Sequence, residues 1–443
     1  MNRLCAAMAA TLMLSSFSSP SMGEPPEMDM NQIAESYVRL VLSVGEHDAD
    51  YVDAYYGPTE WREDVRVIPI PDLIAEAEML LAQLERIGRV TRFDEMGYLR
   101  FTYQTKQLQA VRARLQMLEG VRFTFDEEAR ALYDATPPSF GKEHFRNILA
   151  RLDKALPAGE PGATIQQRVE SYRAGFVIPK EKLDTVFRAA IAECRKRTGK
   201  HLVLPEGESF VVEYVTDKPW SAYNWYKGKS HSLIQVNTDL PIFIDRAIDL
   251  AAHEGYPGHH VYNALLEKNL AVDRGWMEFS VYPLFSPQSL VAEGSANFGV
   301  EVAFPGNERV EFEQAVLFPL AGIDPSSAGE YYRIFGLTGE LSYAGNEAAR
   351  RYLDGEISGE EAAAWLVEFA LMSPERAAQR VRFIDRYRSY VINYNLGEDL
   401  VRNFIEARGG TPDNPAARWE EFGKLLSSPR LPSGLTEGIP SGR

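Results

Sequence analysis

The sequence predicts a mainly α-helical fold with one small antiparallel β-sheet. Three observations lead there: apolar residues recur at helical spacing through most of the chain, the period changes to β-prone runs between residues 209 and 237, and the helical period then returns. With 443 residues, 45% of them hydrophobic and 25% charged, the chain can bury a large core, in one domain or in two lobes.

The N-terminus reads as a processing signal. Arg3 is the only charge before Glu24, residues 4–17 are apolar or small, and Ser21 and Gly23 supply the small side chains that a signal peptidase takes. Residues 1–23 are therefore expected to be a removed signal peptide, and the mature product to be exported, either periplasmic or secreted. Cys5 precedes the apolar run instead of following it, which argues against lipidation, and its removal leaves Cys194 without a disulfide partner. The net charge of −16 becomes one unit more negative when Arg3 leaves. So acidic a chain argues against nucleic acid or anionic lipid as the main partner, since both require a basic face. No later stretch is long and apolar enough to form an integral membrane segment.

Residues 24–156 form the expected N-terminal helical region. Its stripes, Leu73, Ala77, Leu80, Leu81 and Leu84, then Leu108, Val111, Leu115 and Leu118, mark core-facing helix faces. Residues 157–162 are rich in Pro and Gly and are the candidate interlobe linker, followed by a second region at 163–409. It starts with a helical pattern over 166–198. Ser209–Val215 and 232–237 are then β-prone, with a turn at Lys227-Gly228-Lys229-Ser230. Pro241 suits the first turn of a helix capped by Thr238 or Asp239, with Ile244, Ala247, Ile248 and Ala251 as its buried stripe. That helix carries His253 and Glu254 at its C-terminal end. Further helices are expected at 290–304, 327–353, 358–369 and 373–396, and residues 410–443 read as a C-terminal tail, poorly ordered at its end.

The chemistry concentrates at His253-Glu254-Gly255-Tyr256-Pro257-Gly258-His259-His260, which holds three of the seven histidines in the chain. Such a cluster suits a metal, because neutral imidazole nitrogens and carboxylates are the usual ligands of a catalytic zinc. Glu254, beside the first histidine, suits a general base for water. The spacing needs an explanation, since residues six apart on an ideal helix are turned by about 240° and separated by roughly 9 Å. Gly255, Pro257 and Gly258 are the residues that break or bulge a helix, so a kink between Glu254 and His259 is expected to restore convergence. His260, seven residues from His253, competes as second ligand. Glu293 is the only charge between Phe279 and Val300 and is the expected third ligand. Asn297 and Glu301 follow on the same helical face as candidate hydrogen-bonding partners of the ligands.

At these residues the sequence resembles the bacterial domain-of-unknown-function family 885, grouped with the gluzincin-type metallopeptidases. The family's His-Glu-x-x-Pro-Gly-His motif is matched from His253 to His259, and its Glu-Gly-x-Ala motif at Glu293 to Ala296. The resemblance implies a gluzincin-like helical metallopeptidase architecture in which His253, His259 and Glu293 bind zinc and Glu254 is the base, and it favours His259 over His260. Two departures stand out: Ser295 occupies a position that is usually Trp in the family, and of the family's C-terminal stretch only Tyr394-Asn395-Leu396-Gly397 matches. By that match Tyr394 is the candidate donor to a developing oxyanion, with Tyr390 one turn earlier. Arg382 and Arg386 are weighed as binders of a substrate carboxylate against a solvated basic face. His231 opens a strand that resembles the peptide-pairing edge strand of gluzincin-like folds.

The expected function is zinc-dependent hydrolysis of peptide bonds, with a peptide as substrate. The alternatives are hydrolysis of a non-peptide amide or ester at the same centre, or a catalytically silent metal-binding protein.

Overall fold

The computed structural model describes residues 28–218 and 220–436; the expected signal peptide lies outside the described residues. The chain is mostly helical, with two small sheets. Helix starts follow local chemistry. Asp29, Thr124, Thr164 and Ser358 each accept a backbone N–H from the first turn that follows, and the Gln or Glu three residues on returns the bond. Both predicted N-terminal stripes face the interior: Leu73, Ala77, Leu80 and Leu84 are buried in the helix Ile70–Val90, and Leu108, Val111 and Leu115 in the helix Glu95–Leu118.

Among the described residues there are five strands: β1 (Val52–Tyr55), β2 (Ser209–Val215), β3 (Ala222–Gly228), β4 (His231–Asn237) and β5 (Val281–Pro283). β1, which lies in a region read as helical, pairs antiparallel with β5 and ties residues more than 200 positions apart. The second sheet has the order β2-β4-β3. Its β3–β4 hairpin is antiparallel and turns through Gly228, Lys229 and Ser230, all at positive φ, within the predicted turn. The expected pairing of β2 with β4 exists but is parallel, because β3, which the sequence reading passed over, reverses the chain once more between them. β4 is therefore the central strand, so the edge-strand role foreseen for the strand beginning at His231 does not apply.

Several helix limits also differ from expectation. Residues 241–244 are non-helical, and the helix before the motif begins at Asp245, so Pro241 is not in its first turn. The span 327–353 divides into Ala328–Gly339 and Ala344–Leu353. The span 373–396 breaks at Arg388, whose φ of 52° ends the helix Pro374–Tyr387, and a 3-10 turn, Arg388–Val391, leads into the helix Ile392–Ala407. Glu128 fastens this break by accepting from Arg388 Nε at 2.6 Å, Ser389 Oγ at 2.7 Å and the Ser389 amide at 3.1 Å. The expected tail carries two helices, Pro415–Leu426 and Pro432–Leu435, whose Trp419, Phe422, Leu425, Leu426 and Leu435 join the core because their apolar side chains recur at helical spacing. Residues 437–443 lie outside the described part.

Two large apolar clusters meet in the molecule. One is built mainly from the N-terminal helices but includes Leu290, Tyr390 and Leu396; the other includes Ala252, Tyr256, Val261, Val291 and Ala292. The helix Pro287–Ala303 contributes to both and is buried on nearly every side. Glu293 lies on the buried part of this helix, which is why its carboxylate must find a partner inside the protein.

Candidate metal centre

The chain bends where Gly255, Pro257 and Gly258 foretold a bend. The helix Asp245–Leu250 widens into a π-helical turn, Ala251–Gly255, the Tyr256–Pro257 peptide is cis, and a new helix, His259–Leu266, starts one residue after Gly258. Gly258 donates its amide to Ala252 O at 2.8 Å. The approach is so close that a Cβ there would overlap the carbonyl oxygens of Ala252 and His253, so only glycine fits.

The bend brings His253 and His259 together, their Nε2 atoms 3.1 Å apart and their rings nearly perpendicular. Glu293 Oε2 lies 3.3 Å from His253 Nε2 and 3.6 Å from His259 Nε2. One ligand atom from each residue falls within 4.8 Å of the others, and the side chains are 10–16% exposed.

Hydrogen bonds fix which atoms remain available. Asn297 Nδ2 donates to the Tyr394 carbonyl at 2.8 Å, which can only accept. The amide oxygen of Asn297 therefore faces His253, whose Nδ1 donates to it at 2.8 Å. A neutral His253 is thus left with an open lone pair on Nε2. Tyr390 donates its hydroxyl to Glu293 Oε1 at 2.8 Å, while Glu293 Oε2 is buried with no donor among the described residues.

The charges agree with this arrangement. Burial by itself would raise Glu293, but the neighbouring His253 and His259 hold it well below the usual carboxylate range. Burial by itself would lower His253, yet the adjacent carboxylate of Glu293 and the charge of Glu254 lift it to about 9. The pull on that proton is the pull a cation would feel. Two imidazole nitrogens and a carboxylate oxygen that lacks a donor fit a cation held by three protein ligands.

His260 is occupied elsewhere. Its ring is 1% exposed, with Nδ1 2.8 Å from Ser232 Oγ and Nε2 donating to Glu208 Oε2 at 2.9 Å. Glu208 also accepts from Tyr256 and Arg195, and these bonds pull it below the ordinary range although burial opposes them. His260 thereby fastens β4 to the bend.

The other sequence candidates are scattered. Glu254 is buried beside the cluster, and its carbonyl accepts from Asn224 Nδ2 at 2.6 Å, which ties the bend to β3. Tyr394 lies in the same neighbourhood; burial first, then the charges of Glu293 and Glu254, raise its phenol. Of the two tyrosines, it is Tyr390 whose hydroxyl reaches the cluster. Glu301 pairs with Arg402 instead of the ligands, a correction to its expected role. Arg382 is exposed, Arg386 is paired with Asp50 at 2.6 Å, and His231 is exposed with Nδ1 on the Lys229 carbonyl.

The sequence reading missed Asp53. Strand β1 delivers it to this region, where Tyr223 donates to it, and burial together with the charges of Glu293 and Glu254 raises it to about 7. No local signal marks it, because its role depends on the β1–β5 pairing.

No family model matches the chain, and no curated protein matches it. Among solved structures, it is similar to a protein described as "the putative lipoprotein from Colwellia psychrerythraea", with a TM-score of 0.51 at 15% identity, covering 84% of this chain and 69% of that one. A second, described as "a putative lipoprotein of unknown function from Shewanella oneidensis", gives a TM-score of 0.45 at 12% identity, with 90% and 88% covered. The first likeness shows a shared fold.

Proposed function

We propose that this chain is an exported zinc-dependent hydrolase of peptide bonds, with His253, His259 and Glu293 holding the ion and Glu254 acting as general base. The observation that carries the reading is Glu293 Oε2, a buried carboxylate oxygen without a donor that faces two histidine nitrogens. When bound, the ion supplies Lewis-acid polarisation and lowers the pKa of water.

The chain's own groups supply the rest. Asn297 fixes the His253 tautomer and Tyr390 holds one oxygen of Glu293, so the ligand atoms are oriented beforehand. Glu254 takes the proton of the attacking water and returns it to the amine nitrogen as the C–N bond breaks. Strand β3 lies on the edge of its sheet and is joined to Glu254 through Asn224, which supports an extended peptide as substrate. The motif likeness to the metallopeptidase family belongs to the same proposal. Export rests on the N-terminal pattern, with which the description of the first structural neighbour accords.

The test is a panel of quenched peptides assayed with and without chelator, using wild type and Glu254→Gln. Chelator-sensitive cleavage is expected, reduced in the variant by about 10²–10⁴-fold while zinc is retained. Release of zinc by a folded Glu254→Gln protein would make Glu254 a ligand, and full activity in the variant would place the base elsewhere.

A further inference from the structure

The helix Pro374–Tyr387 carries Arg376 and Arg380 one turn apart. The Arg380 guanidinium lies 4.6 Å from the Phe383 ring centroid and 6.0 Å from that of Tyr394. Tyr394 is 5.8 Å, ring to ring, from Tyr390, whose hydroxyl holds Glu293. Two aromatic side chains, Tyr394 and Tyr390, therefore stand between Arg380 and Glu293.

Arg380 differs from its neighbours in its partners. Arg386 has Asp50, Arg388 has Glu128, and Arg309 has Asp249 and Glu313. Among the described residues, Arg380 has no such carboxylate. Its Nε is sealed from solvent without an acceptor, and burial lowers its pKa with Tyr394 as the only opposing influence. Arg376 is an exposed side chain, lowered by partial burial and then by the charges of Arg173 and Arg246, with Glu170 opposing.

Arg173 and Arg246 complete the surroundings. Arg173 lies 3.4 Å from Asp245, and Arg246 lies 3.2 Å from Asp249, so both are already engaged. The field of Arg246 reaches His253 as well. In a chain of net charge −16, Arg376 thus lies in the field of Arg173 and Arg246, and among the described residues neither Arg376 nor Arg380 forms an ion pair with a carboxylate. A buried guanidinium nitrogen without an acceptor, such as Arg380 Nε, costs free energy unless a ligand completes it, and the planar fork of arginine matches a carboxylate.

We infer that Arg380, assisted by Arg376, is a binding subsite for a free carboxylate of the substrate, so that the centre acts close to the C-terminal end of a peptide. The inference rests on the peptidase reading for the nature of the substrate, though not for the existence of the anion subsite.

Two measurements on the full chain separate the two ideas. In the first, the dicarboxylate succinate is titrated calorimetrically into metal-free wild type, Arg380→Met and the exposed control Arg382→Gln. Binding is expected in wild type and the control and should weaken about 10- to 100-fold in Arg380→Met, the range for losing charged hydrogen bonds. In the second, zinc-supplemented wild type receives randomised tetrapeptides as free acids and as C-terminal amides, with products read by mass spectrometry. The acids should be cleaved with kcat/KM about 10- to 100-fold higher than the amides.

Equal cleavage of acids and amides would overturn the subsite and leave the peptidase reading standing. No cleavage of either library, with succinate binding that still depends on Arg380, would overturn the peptidase reading and leave the subsite. Succinate binding unaffected by Arg380→Met would also overturn the subsite. If that variant does not fold, the comparison of acids with amides on wild type decides the matter.

Discussion

Gly294 and Gly397 meet backbone to backbone where the helix Pro287–Ala303 crosses the helix Ile392–Ala407. A Cβ on Gly294 would stand 2.7 Å from the Gly397 Cα and overlap its carbonyl, and a Cβ on Gly397 would stand 2.6 Å from the Leu290 carbonyl oxygen. The crossing places Glu293 against the segment that carries Tyr390 and Tyr394. The absence of two methyl groups thus lets the ligand and its hydrogen-bond donor come together.

Gly397→Ala and Gly294→Ala should therefore each force the two helices apart. Overpacking of this kind costs about 1–3 kcal/mol, or more where backbone opposes backbone. Thermal melts should show the loss, and zinc retention should fall with it because Glu293 adjoins Gly294. A melting temperature and zinc content equal to wild type in both variants would show that the crossing tolerates the added volume.

Wild type should hold about one zinc per chain, because two histidines and one carboxylate make a single three-ligand site. His259→Ala should abolish retention. His260→Ala should keep most of the metal yet lose about 1–3 kcal/mol of stability, since it leaves Glu208 and Ser232 buried with a missing partner. Metal analysis and denaturant melts on both variants check this, and the opposite pattern would exchange the roles of the two histidines.

Tyr390→Phe removes the donor to Glu293 Oε1 while keeping the ring in its apolar surroundings. Outer hydrogen bonds of this kind typically contribute about 10–100-fold in metal affinity. A competition titration with a chromophoric chelator should show a loss of that order with an unchanged circular dichroism spectrum. Tyr394→Phe should affect zinc affinity much less, because the contact it gives Asn297 is made by its backbone carbonyl.

Asp53 makes the metal-free protein sensitive to pH. Its folded pKa of about 7 lies above the ordinary carboxylate value, so the folded chain binds this proton more tightly than the unfolded chain does. The associated stability is fully present below the unfolded pKa and is lost as pH rises through about 7. Asp53→Asn should flatten that segment of the stability profile, as read by urea melts from pH 5 to 8 without metal. Curves of equal slope for wild type and variant would remove Asp53 from the account.

How much of the site was legible depended on the range of each interaction. The motif from His253 to His260 is local, and the breakers that bend it, Gly255, Pro257 and Gly258, lie within it. A lone Glu293 in an uncharged stretch announces a buried carboxylate because an ionised group inside a protein needs a partner wherever the helix packs. The choice between His259 and His260 was not local, since it turns on Ser232 and Glu208 occupying both nitrogens of His260. The preference for Tyr394 over Tyr390 came from a motif match, whereas the hydroxyl that reaches Glu293 is Tyr390's, a contact set by how the turn Arg388–Val391 packs on the helix Pro287–Ala303.

By itself, the sequence determined the helical class, the core-facing stripes and the cluster of groups able to hold a cation, because these follow from periodicity and residue type within a few turns of chain. Tertiary structure alone decided that β2 runs parallel to β4, that β1 carries Asp53 to the site, that Tyr390 holds Glu293, and that Arg380 lacks a carboxylate. Each of these depends on which distant segments pack together. That is set by burial of apolar faces and by close approach at residues such as Gly294 and Gly397, and spacing along the chain does not encode it.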